Sequence, residues 1–244
     1  MAKLEVINQQ QHKDVRIITD RGANYGEAVH FVPVLADEAL ALVLEYPLFF
    51  MKDESSGQFT FNALLGFEPG ENLFLQGKQW NTIYQPVNIR RQPFMVAIKE
   101  GSSDEPGKRE GALALDMESP RVNTEQGEAL FNEDGSNSKF LEHMNNLVNH
   151  MMGGVDSTKR YIEALVEKDL LMATKMDVNF ASGEKKSFGG LHVINIEKLA
   201  TLAGEELADF HKRGYLKASY LIQASGGNMQ KLIALKNQRD AAAS

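Results

Sequence analysis

Residues 71–98 read ENLFLQGKQWNTIYQPVNIRRQPFMVAI and bring several bulky and charged side chains together between apolar runs. The stretch holds the only tryptophan, Trp80, together with Tyr84 and the adjacent pair Arg90 and Arg91. An indole and a phenol each combine a large apolar body with one polar atom, and a guanidinium matches carboxylate or phosphate oxygens with paired hydrogen bonds. The composition therefore predicts an ordered unit that contributes both to a core and to a candidate binding site.

The candidate ligand-binding set joins these four residues with two neighbours along the chain. Its members are Tyr46, Asn72, Trp80, Tyr84, Arg90 and Arg91. If residues 88–94 are extended, adjacent side chains point to opposite faces, so at most one arginine shares a pocket with Trp80. The alternative is structural, with Trp80 in a core and one arginine paired with a buried carboxylate such as Glu45 or Glu71. The residues alone leave both interpretations open.

The composition is that of an ordinary globular chain, with 244 residues of which 43% are hydrophobic and 24% charged. A net charge of -7 disfavours nucleic acids and anionic membranes as partners, because both recruit clustered lysine and arginine. The absence of cysteine excludes disulfides and thiolate metal sites. The longest apolar stretch contains Glu45 and Pro47 and falls short of the roughly 20 residues of a membrane-spanning helix. A soluble protein without membrane insertion is expected.

The N-terminal region predicts where the protein resides. Three consecutive glutamines, at positions 9–11, stand where a secretory signal requires an uninterrupted apolar run. A cytoplasmic location is therefore expected, and export to the cell surface without a cleaved leader stays open. The sequence indicates no oligomeric state.

Residues 1–118 are predicted to form a β-rich subdomain. Short apolar runs separated by Gly, Pro, Asn and Asp are typical of strands. They occur here as VRII, HFVPV, LFFM, FTFNALLGF, NLFLQ, FMVAI and ALALDM. The hydrophilic segment at residues 101–111, GSSDEPGKREG, has the composition of an exposed loop.

One helix is expected to interrupt these strands, at residues 36–46. Leu40, Val43 and Leu44 recur at helical spacing, and acidic residues in the first turn favour a helix N-terminus. Pro47 is expected to end the helix because proline cannot continue its hydrogen-bond pattern.

Residues 119–244 are predicted to form a mainly helical subdomain packed on the first. An apolar stripe at i, i+3 and i+4 within residues 140–151 indicates a helix, and Gly153 and Gly154 are expected to end it before a second helix begins. Residues 176–195 resemble a β-hairpin, after which helices resume. Strands first and helices later predict an α+β fold, with both subdomains in one compact unit.

Neither a metal site nor a cofactor is predicted. The triplet His12-Lys13-Asp14 has the His-x-Asp spacing of facial-triad iron sites, but it follows a polar run where short motifs arise by chance. His143 and His150 are expected on one helix face about 10 Å apart along the axis, which is too far for one metal ion to bridge. Phosphate-loop and serine-nucleophile motifs are absent from the sequence, so no catalytic residue is predicted.

Several long runs of the chain resemble the SapC family of bacterial proteins. They are HFVPVLADEALALVLEYPLFFMKD, LLGFEPGENLFLQGKQWNTIYQPVNIRRQPFMV, ALFNEDGSNSKFLEHMNNLV and GGLHVINIEKLATLAGEELADFHKRGYLKASYLI. The matching positions include Tyr46-Pro47, Gly66, Glu71 to Leu73, Trp80 to Tyr84, Pro86, Arg90, Arg91, Pro93 and Phe94. These runs occur in the order and spacing of the family, and together they cover most of the chain.

The resemblance implies an accessory role rather than a defined reaction. The family takes its name from a surface-layer component, and its members tend to be encoded beside outer-membrane nutrient receptors and flavin-type tryptophan halogenases. An accessory binding protein for surface-layer or glycan and nutrient uptake functions is therefore expected, with a protein partner or a small-molecule ligand. The alternative is an enzyme acting on a carboxylated or glycan-derived small molecule, with Tyr84, Arg90 or Arg91 as anion anchors.

Overall fold

The computed structural model describes residues 3–98 and 111–243, where four antiparallel sheets combine with helices. Thirteen strands occur in this part of the chain. They are β1 (Leu4–Val6), β2 (Arg16–Ile17), β3 (Phe31–Pro33), β4 (Leu48–Lys52), β5 (Phe59–Leu64), β6 (Leu75–Gln76), β7 (Gln79–Trp80), β8 (Phe94–Ile98), β9 (Gly111–Asp116), β10 (Val122–Asn123), β11 (Glu128–Ala129), β12 (Leu171–Asn179) and β13 (Lys185–Ile194). The loop predicted at residues 101–111 lies outside the described residues, except for Gly111, which begins β9.

Helices become the dominant element in the second half. In the described ranges they are α1 (Gln9–His12), α2 (Ala39–Leu42), α3 (Val87–Arg90), α4 (Lys139–Glu167), α5 (Ile196–Leu199), α6 (Gly204–Lys212), α7 (Tyr215–Ala224) and α8 (Asn228–Ala243). Short 3-10 turns occur at Ala23–Tyr25, Ala36–Glu38 and Ser225–Gly227. The concentration of strands in the first half and helices in the second confirms the predicted α+β fold.

The largest sheet has five antiparallel strands in the order β12-β13-β4-β5-β3. Its strands β12 and β13 form the hairpin predicted at residues 176–195, and β13 pairs with β4 from the first half of the chain. In the core, Phe50 and Phe61 stack with ring centroids 5.1 Å apart, and Tyr161 of α4 packs 6.4 Å from Phe50. Strands from both halves thus share one sheet, and the division of the chain near residue 118 stays a prediction.

The inserted helix is present but shorter than predicted, and a different face is buried. A 3-10 turn at Ala36–Glu38 leads into the single turn of α2. Leu40 and Leu44, assigned to the apolar stripe, are 56% and 67% exposed, whereas Ala39, Leu42 and Tyr46 are buried. Positions 39, 42 and 46 also follow the helical period, so they form a second apolar stripe beside the predicted one. That stripe is the buried one because it carries Tyr46, one of the largest fully buried side chains.

The predicted break at Gly153 and Gly154 is wrong, because α4 continues without interruption for 29 residues. Its N-terminus is capped by Ser138, whose Oγ accepts a hydrogen bond of 3.1 Å from the Leu141 backbone N–H. A Cβ atom at Gly154 would lie only 2.5 Å from Leu35 Cδ1, so this position needs glycine for close packing. A glycine pair in a helix therefore marks a close approach here and not a C-cap.

Replacement of each glycine by alanine is expected to change the free energy of unfolding in opposite directions. Gly153→Ala is expected to raise the free energy of unfolding by about 0.5–1 kcal/mol, because a Cβ there meets no atom of the described residues within 4 Å and alanine favours the helix. Gly154→Ala is expected to lower it by about 1–3 kcal/mol, because the buried Leu35 must move. Urea denaturation of both variants measures the difference. Equal values for the two variants would contradict the packing assigned to Gly154.

The extended backbone considered as one possibility for residues 88–94 does not occur at the start of this stretch. Residues Val87–Arg90 form the helical turn α3, in which Arg90 N–H donates to Pro86 O at 3.1 Å and Arg91 N–H donates to Val87 O at 2.9 Å. Proline is well suited to the start of a helix because its missing N–H would have no partner there. Arg90 and Arg91 therefore leave the backbone about 100° apart and not on opposite faces of a strand.

Candidate functional site

Trp80 and Tyr46 belong to a buried hydrogen-bond network. Trp80 Nε1 donates to Tyr46 Oη at 2.9 Å, and Tyr46 Oη donates to the Tyr84 carbonyl oxygen at 2.6 Å. The Tyr46 ring is fully buried and packs edge-on against Phe74, with centroids 4.8 Å apart. Burial raises the pKa of the Tyr46 phenol, which therefore stays protonated and available as a donor. The network holds the strand β7 and the segment after it against the core.

Tyr84 connects this network to a buried carboxylate and to Arg90. Tyr84 Oη donates to Glu38 Oε1 at 2.8 Å, and the Val87 backbone N–H donates to the same oxygen at 2.8 Å. Burial raises the pKa of the Glu38 carboxyl, against the opposing effect of these hydrogen bonds. The Arg90 guanidinium lies over the Tyr84 ring, with 5.2 Å from Cζ to the centroid. Arg90 is thus positioned by an aromatic face rather than by an acid.

Arg91 and Asn72 point elsewhere. Arg91 Nε donates to Asn88 Oδ1, and its Nη1 donates to the Phe94 carbonyl, both at 2.8 Å. Burial lowers the pKa of this guanidinium. Asn72 Nδ2 donates to the Glu27 carbonyl at 2.8 Å, and Asn72 also lines an open depression of about 420 Å³ beside Arg239. The six predicted residues therefore do not surround one cavity.

The structural alternative offered Glu45 or Glu71 as the partner of an arginine, but the ion pairs of both carboxylates are with lysines. Glu45 is held by Lys231, and Glu71 is held by Lys236 at 2.9 Å. Both lysines come from α8, more than 160 residues later in the chain. Because these carboxylates are already neutralised, they leave Arg90 and Arg91 without the buried acid that the sequence suggested.

A cavity of about 180 Å³, which we call the arginine pocket, lies between the end of β2, the end of α3 and one face of α4. Its polar lining consists of Thr19, Arg21, Arg90, Gln92, Arg121 and His143. No carboxylate from the described residues lines it. In a chain with a net charge of -7, three guanidiniums around one cavity create a local positive potential that attracts anions.

The rest of the arginine pocket is apolar. Phe140, Met144 and Leu147 line it from α4, at i, i+4 and i+7 of one helix face, and Ile17 lines it from β2. Met144 and Leu147 also belong to a hydrophobic cluster in which α4 packs against residues of β2 and β8. The pocket wall is therefore a continuation of packed core and has a rigid support.

Arg121 is held inside this wall by an ion pair with Glu27, and both side chains are almost completely buried. Arg121 Nη2 donates to Glu27 Oε1 at 2.6 Å, and its Nη1 donates to the carbonyl oxygens of Ile18 and Asp20 at 2.9 and 2.7 Å. Arg21 Nη1 donates to the same Glu27 oxygen at 2.8 Å. One carboxylate thus serves two guanidiniums, which leaves an excess of positive charge beside the pocket.

Unsatisfied polar atoms are concentrated at the arginine pocket. In the described part of the chain, six buried side-chain nitrogen or oxygen atoms have no hydrogen-bond partner. Three of them, Arg90 Nε, Gln92 Oε1 and Arg121 Nε, belong to residues that line this one cavity. Buried polar groups are normally paired, so such a cluster makes this cavity a candidate binding site.

A family model described as SapC matches residues 7–232 of the chain. The chain belongs to the SapC family. No curated protein and no solved structure matches it. The residues that line the arginine pocket all lie within the stretch matched by the SapC model.

The members of the arginine pocket differ from those that sequence reasoning selected in this SapC-family chain. Arg90 was predicted, whereas Arg21, Gln92, Arg121 and Glu27 were missed. Arg21 lies three residues after the end of the predicted strand VRII, at the kind of loop position that often carries binding residues. Arg121 and Glu27 are 94 residues apart, and no spacing in the sequence relates them.

The histidines do not form a metal site in the described residues. His12 is buried at the end of α1, with its Nε2 atom 3.4 Å from Glu5 Oε2. His143 lines the arginine pocket, and His150 Nε2 lies 3.3 Å from Asp37 Oδ2. Across residues 3–98 and 111–243, no three His, Asp or Glu side chains are grouped closely enough to hold a metal ion. Within the same ranges, no helix is both long and apolar enough to cross a bilayer.

Proposed function

We propose that this SapC-family protein is an accessory binding protein that holds a small anionic ligand in the arginine pocket. The observation that carries the proposal is the excess of guanidinium groups around one cavity without an acid in its lining. Arginine is suited to this task because its planar donors match the oxygens of a carboxylate or phosphate.

Arg90 is the central residue of the proposed site. Within residues 3–98 and 111–243, no carboxylate forms an ion pair with it, and its Nε atom is buried without a hydrogen bond. The Arg90 guanidinium stacks on the ring of Tyr84, and this contact limits the rotamers that Arg90 can adopt. The Tyr84 ring is itself oriented by its hydrogen bond to Glu38. A cation held in place before binding loses little conformational entropy when the anion arrives.

The biological role that we propose is support of surface-layer or outer-membrane uptake functions, from a cytoplasmic location. Membership of the SapC family is the support for this role. A pocket for a small anion fits an accessory protein that senses or retains a nutrient-derived molecule. Cell fractionation followed by detection of the protein tests the location.

The binding function is tested by titration calorimetry at low ionic strength with sodium acetate, sodium lactate and sodium phosphate. Arg90→Gln is expected to weaken binding of the tightest of these anions by about tenfold or more, because a charge-assisted hydrogen bond contributes about 1.5–3 kcal/mol. Arg160→Gln, an exposed position on α4 away from the pocket, makes the same charge change and is expected to alter the affinity by less than about twofold.

Two results would contradict the proposed function. One is the absence of measurable binding of all three anions to the wild-type protein. The other is an equal loss of affinity in Arg90→Gln and Arg160→Gln, which would attribute binding to net charge and not to the pocket. Incubation of the protein with the bound anion, followed by analysis for products, separates a binding protein from an enzyme.

A further inference from the structure

Gln92 contributes to the arginine pocket a group with the opposite hydrogen-bonding character from the arginines. Its Oε1 atom is a buried acceptor without a donor, whereas the free Nε atoms of Arg90 and Arg121 are buried donors without an acceptor. With the Gln92 amide oriented as in the structure, an anion with oxygen acceptors alone satisfies the two arginines and leaves the glutamine oxygen unpaired. A ligand that satisfies all three atoms therefore carries oxygen acceptors and at least one N–H or O–H donor.

The electrostatics of the pocket disfavour a positively charged donor. An ammonium group would be placed among guanidiniums whose charge exceeds that of Glu27. Within residues 3–98 and 111–243, Glu27 is the carboxylate that pairs with Arg21 and Arg121. Repulsion between like charges disfavours that arrangement in a partly buried cavity. A hydroxyl group donates the same hydrogen bond without a charge and is smaller than an amide group, so it is the donor that a pocket of this size favours.

The apolar wall and the volume constrain the remainder of the ligand. Hydrogen phosphate also has an O–H group, but it has no carbon to contact Phe140, Met144 and Leu147. The cavity of about 180 Å³ is smaller than pockets for drug-sized ligands, and a cavity of roughly 150 Å³ accommodates a molecule of benzene size. A ligand with about six to eight non-hydrogen atoms fills such a space.

The geometry points to a small hydroxycarboxylate as the ligand class, with the carboxylate against Arg90 and Arg121 and the hydroxyl donating to Gln92 Oε1. This inference rests on the proposed function, because it requires that the arginine pocket binds an anion at all. It adds the requirement for an uncharged hydroxyl donor and a short carbon body.

The inference is tested by calorimetric titration of the wild-type protein with matched three-carbon ligands. Lactate and 3-hydroxypropionate each add one hydroxyl to propionate, alanine adds an ammonium group, and hydrogen phosphate lacks the carbon body. The tighter-binding of the two hydroxy acids is expected to exceed propionate by about tenfold in affinity, because its hydroxyl pairs a buried acceptor. Alanine is expected to bind more weakly than propionate.

The role of Gln92 is tested by the Gln92→Met variant, which has a similar length and no acceptor oxygen of comparable strength. Its preference for the hydroxy acid over propionate is expected to fall from about tenfold to less than about twofold. Gln92 Oε1 makes no hydrogen bond to the described residues, so its removal breaks no such contact and folding should be retained. A thermal unfolding curve checks this.

The outcomes separate this inference from the proposed function. Failure of every anion to bind overturns both. Binding of propionate as tightly as the hydroxy acids, or tightest binding of alanine or hydrogen phosphate, overturns the hydroxycarboxylate inference and leaves an anion-binding protein. A hydroxy-acid preference that persists in Gln92→Met overturns the assignment of the hydroxyl to this residue.

Discussion

Replacement of Glu27 by alanine is expected to lower the free energy of unfolding by about 3–5 kcal/mol. The carboxylate is fully buried, and it accepts hydrogen bonds from Arg121, Arg21 and the Gly22 backbone N–H. Its removal leaves the buried Arg121 guanidinium without a countercharge. Burial already lowers the pKa of Arg121, with Glu27 as the main opposing influence, yet a guanidinium remains protonated in proteins. The charge therefore stays buried and uncompensated in the variant.

Urea denaturation followed by circular dichroism measures this loss. Asp20→Asn is the matched control, because Asp20 also pairs with a cation in this region but its ion pair with Lys78 is exposed. The expected change for that variant is below about 1 kcal/mol. A stability of Glu27→Ala close to that of Asp20→Asn would show that the Glu27–Arg121 pair is not the buried support of the pocket wall.

The elements that sequence reasoning placed correctly have a local signal. The apolar runs of the strands are bounded by Gly, Pro or Asn, and the stripe on α4 recurs with the helical period over many residues. The wrong predictions concern positions where tertiary packing overrides a local sequence rule. Gly153 and Gly154 match the rule for a helix end, but the proximity of Leu35 to Gly154 is a tertiary contact that no local pattern contains.

The same distinction explains the candidate site. Arg90 and Tyr84 were found because their residue types are suited to anion binding and because they lie close together in the chain. Arg121 joins them from a segment about 30 residues later, and its partner Glu27 comes from far upstream. The sequence also suggested the wrong cations for Glu45 and Glu71, because the lysines that hold them lie on the distant α8. Pairing between remote charges requires the tertiary fold.

Tyr84 connects the buried aromatic residues of the predicted site with Arg90. The sequence offered either a binding site or a packed core, and Tyr84 takes part in both kinds of contact. Its backbone carbonyl accepts the hydrogen bond from buried Tyr46, and its ring supports the guanidinium of Arg90. The aromatic cluster is thus structural on the side of Trp80 and faces the arginine pocket on the side of Arg90. In the proposed function, packing and binding therefore belong to different residues of one continuous segment.

Trp80→Ala is expected to lower the free energy of unfolding by about 3–5 kcal/mol, because truncation of a large core side chain removes buried contacts and leaves a cavity. Trp80 is only 7% exposed, and its Nε1 hydrogen bond to Tyr46 is lost as well. Ile83→Ala is the control from the same segment, where the side chain is 90% exposed and the expected change is within about 0.5 kcal/mol. Urea denaturation measures both variants.

Tyr46→Phe measures the contribution of the Trp80–Tyr46 hydrogen bond to stability separately from the packing of the Trp80 indole. The variant keeps the aromatic ring but leaves Trp80 Nε1 without its acceptor and the Tyr84 carbonyl without one of its donors, at an expected cost of about 1–3 kcal/mol. Because neither Trp80 nor Tyr46 lines the arginine pocket, anion affinity in a folded variant should change far less than in Arg90→Gln. A Trp80→Ala protein that keeps wild-type stability but loses anion binding would reverse this assignment and make the indole a ligand contact.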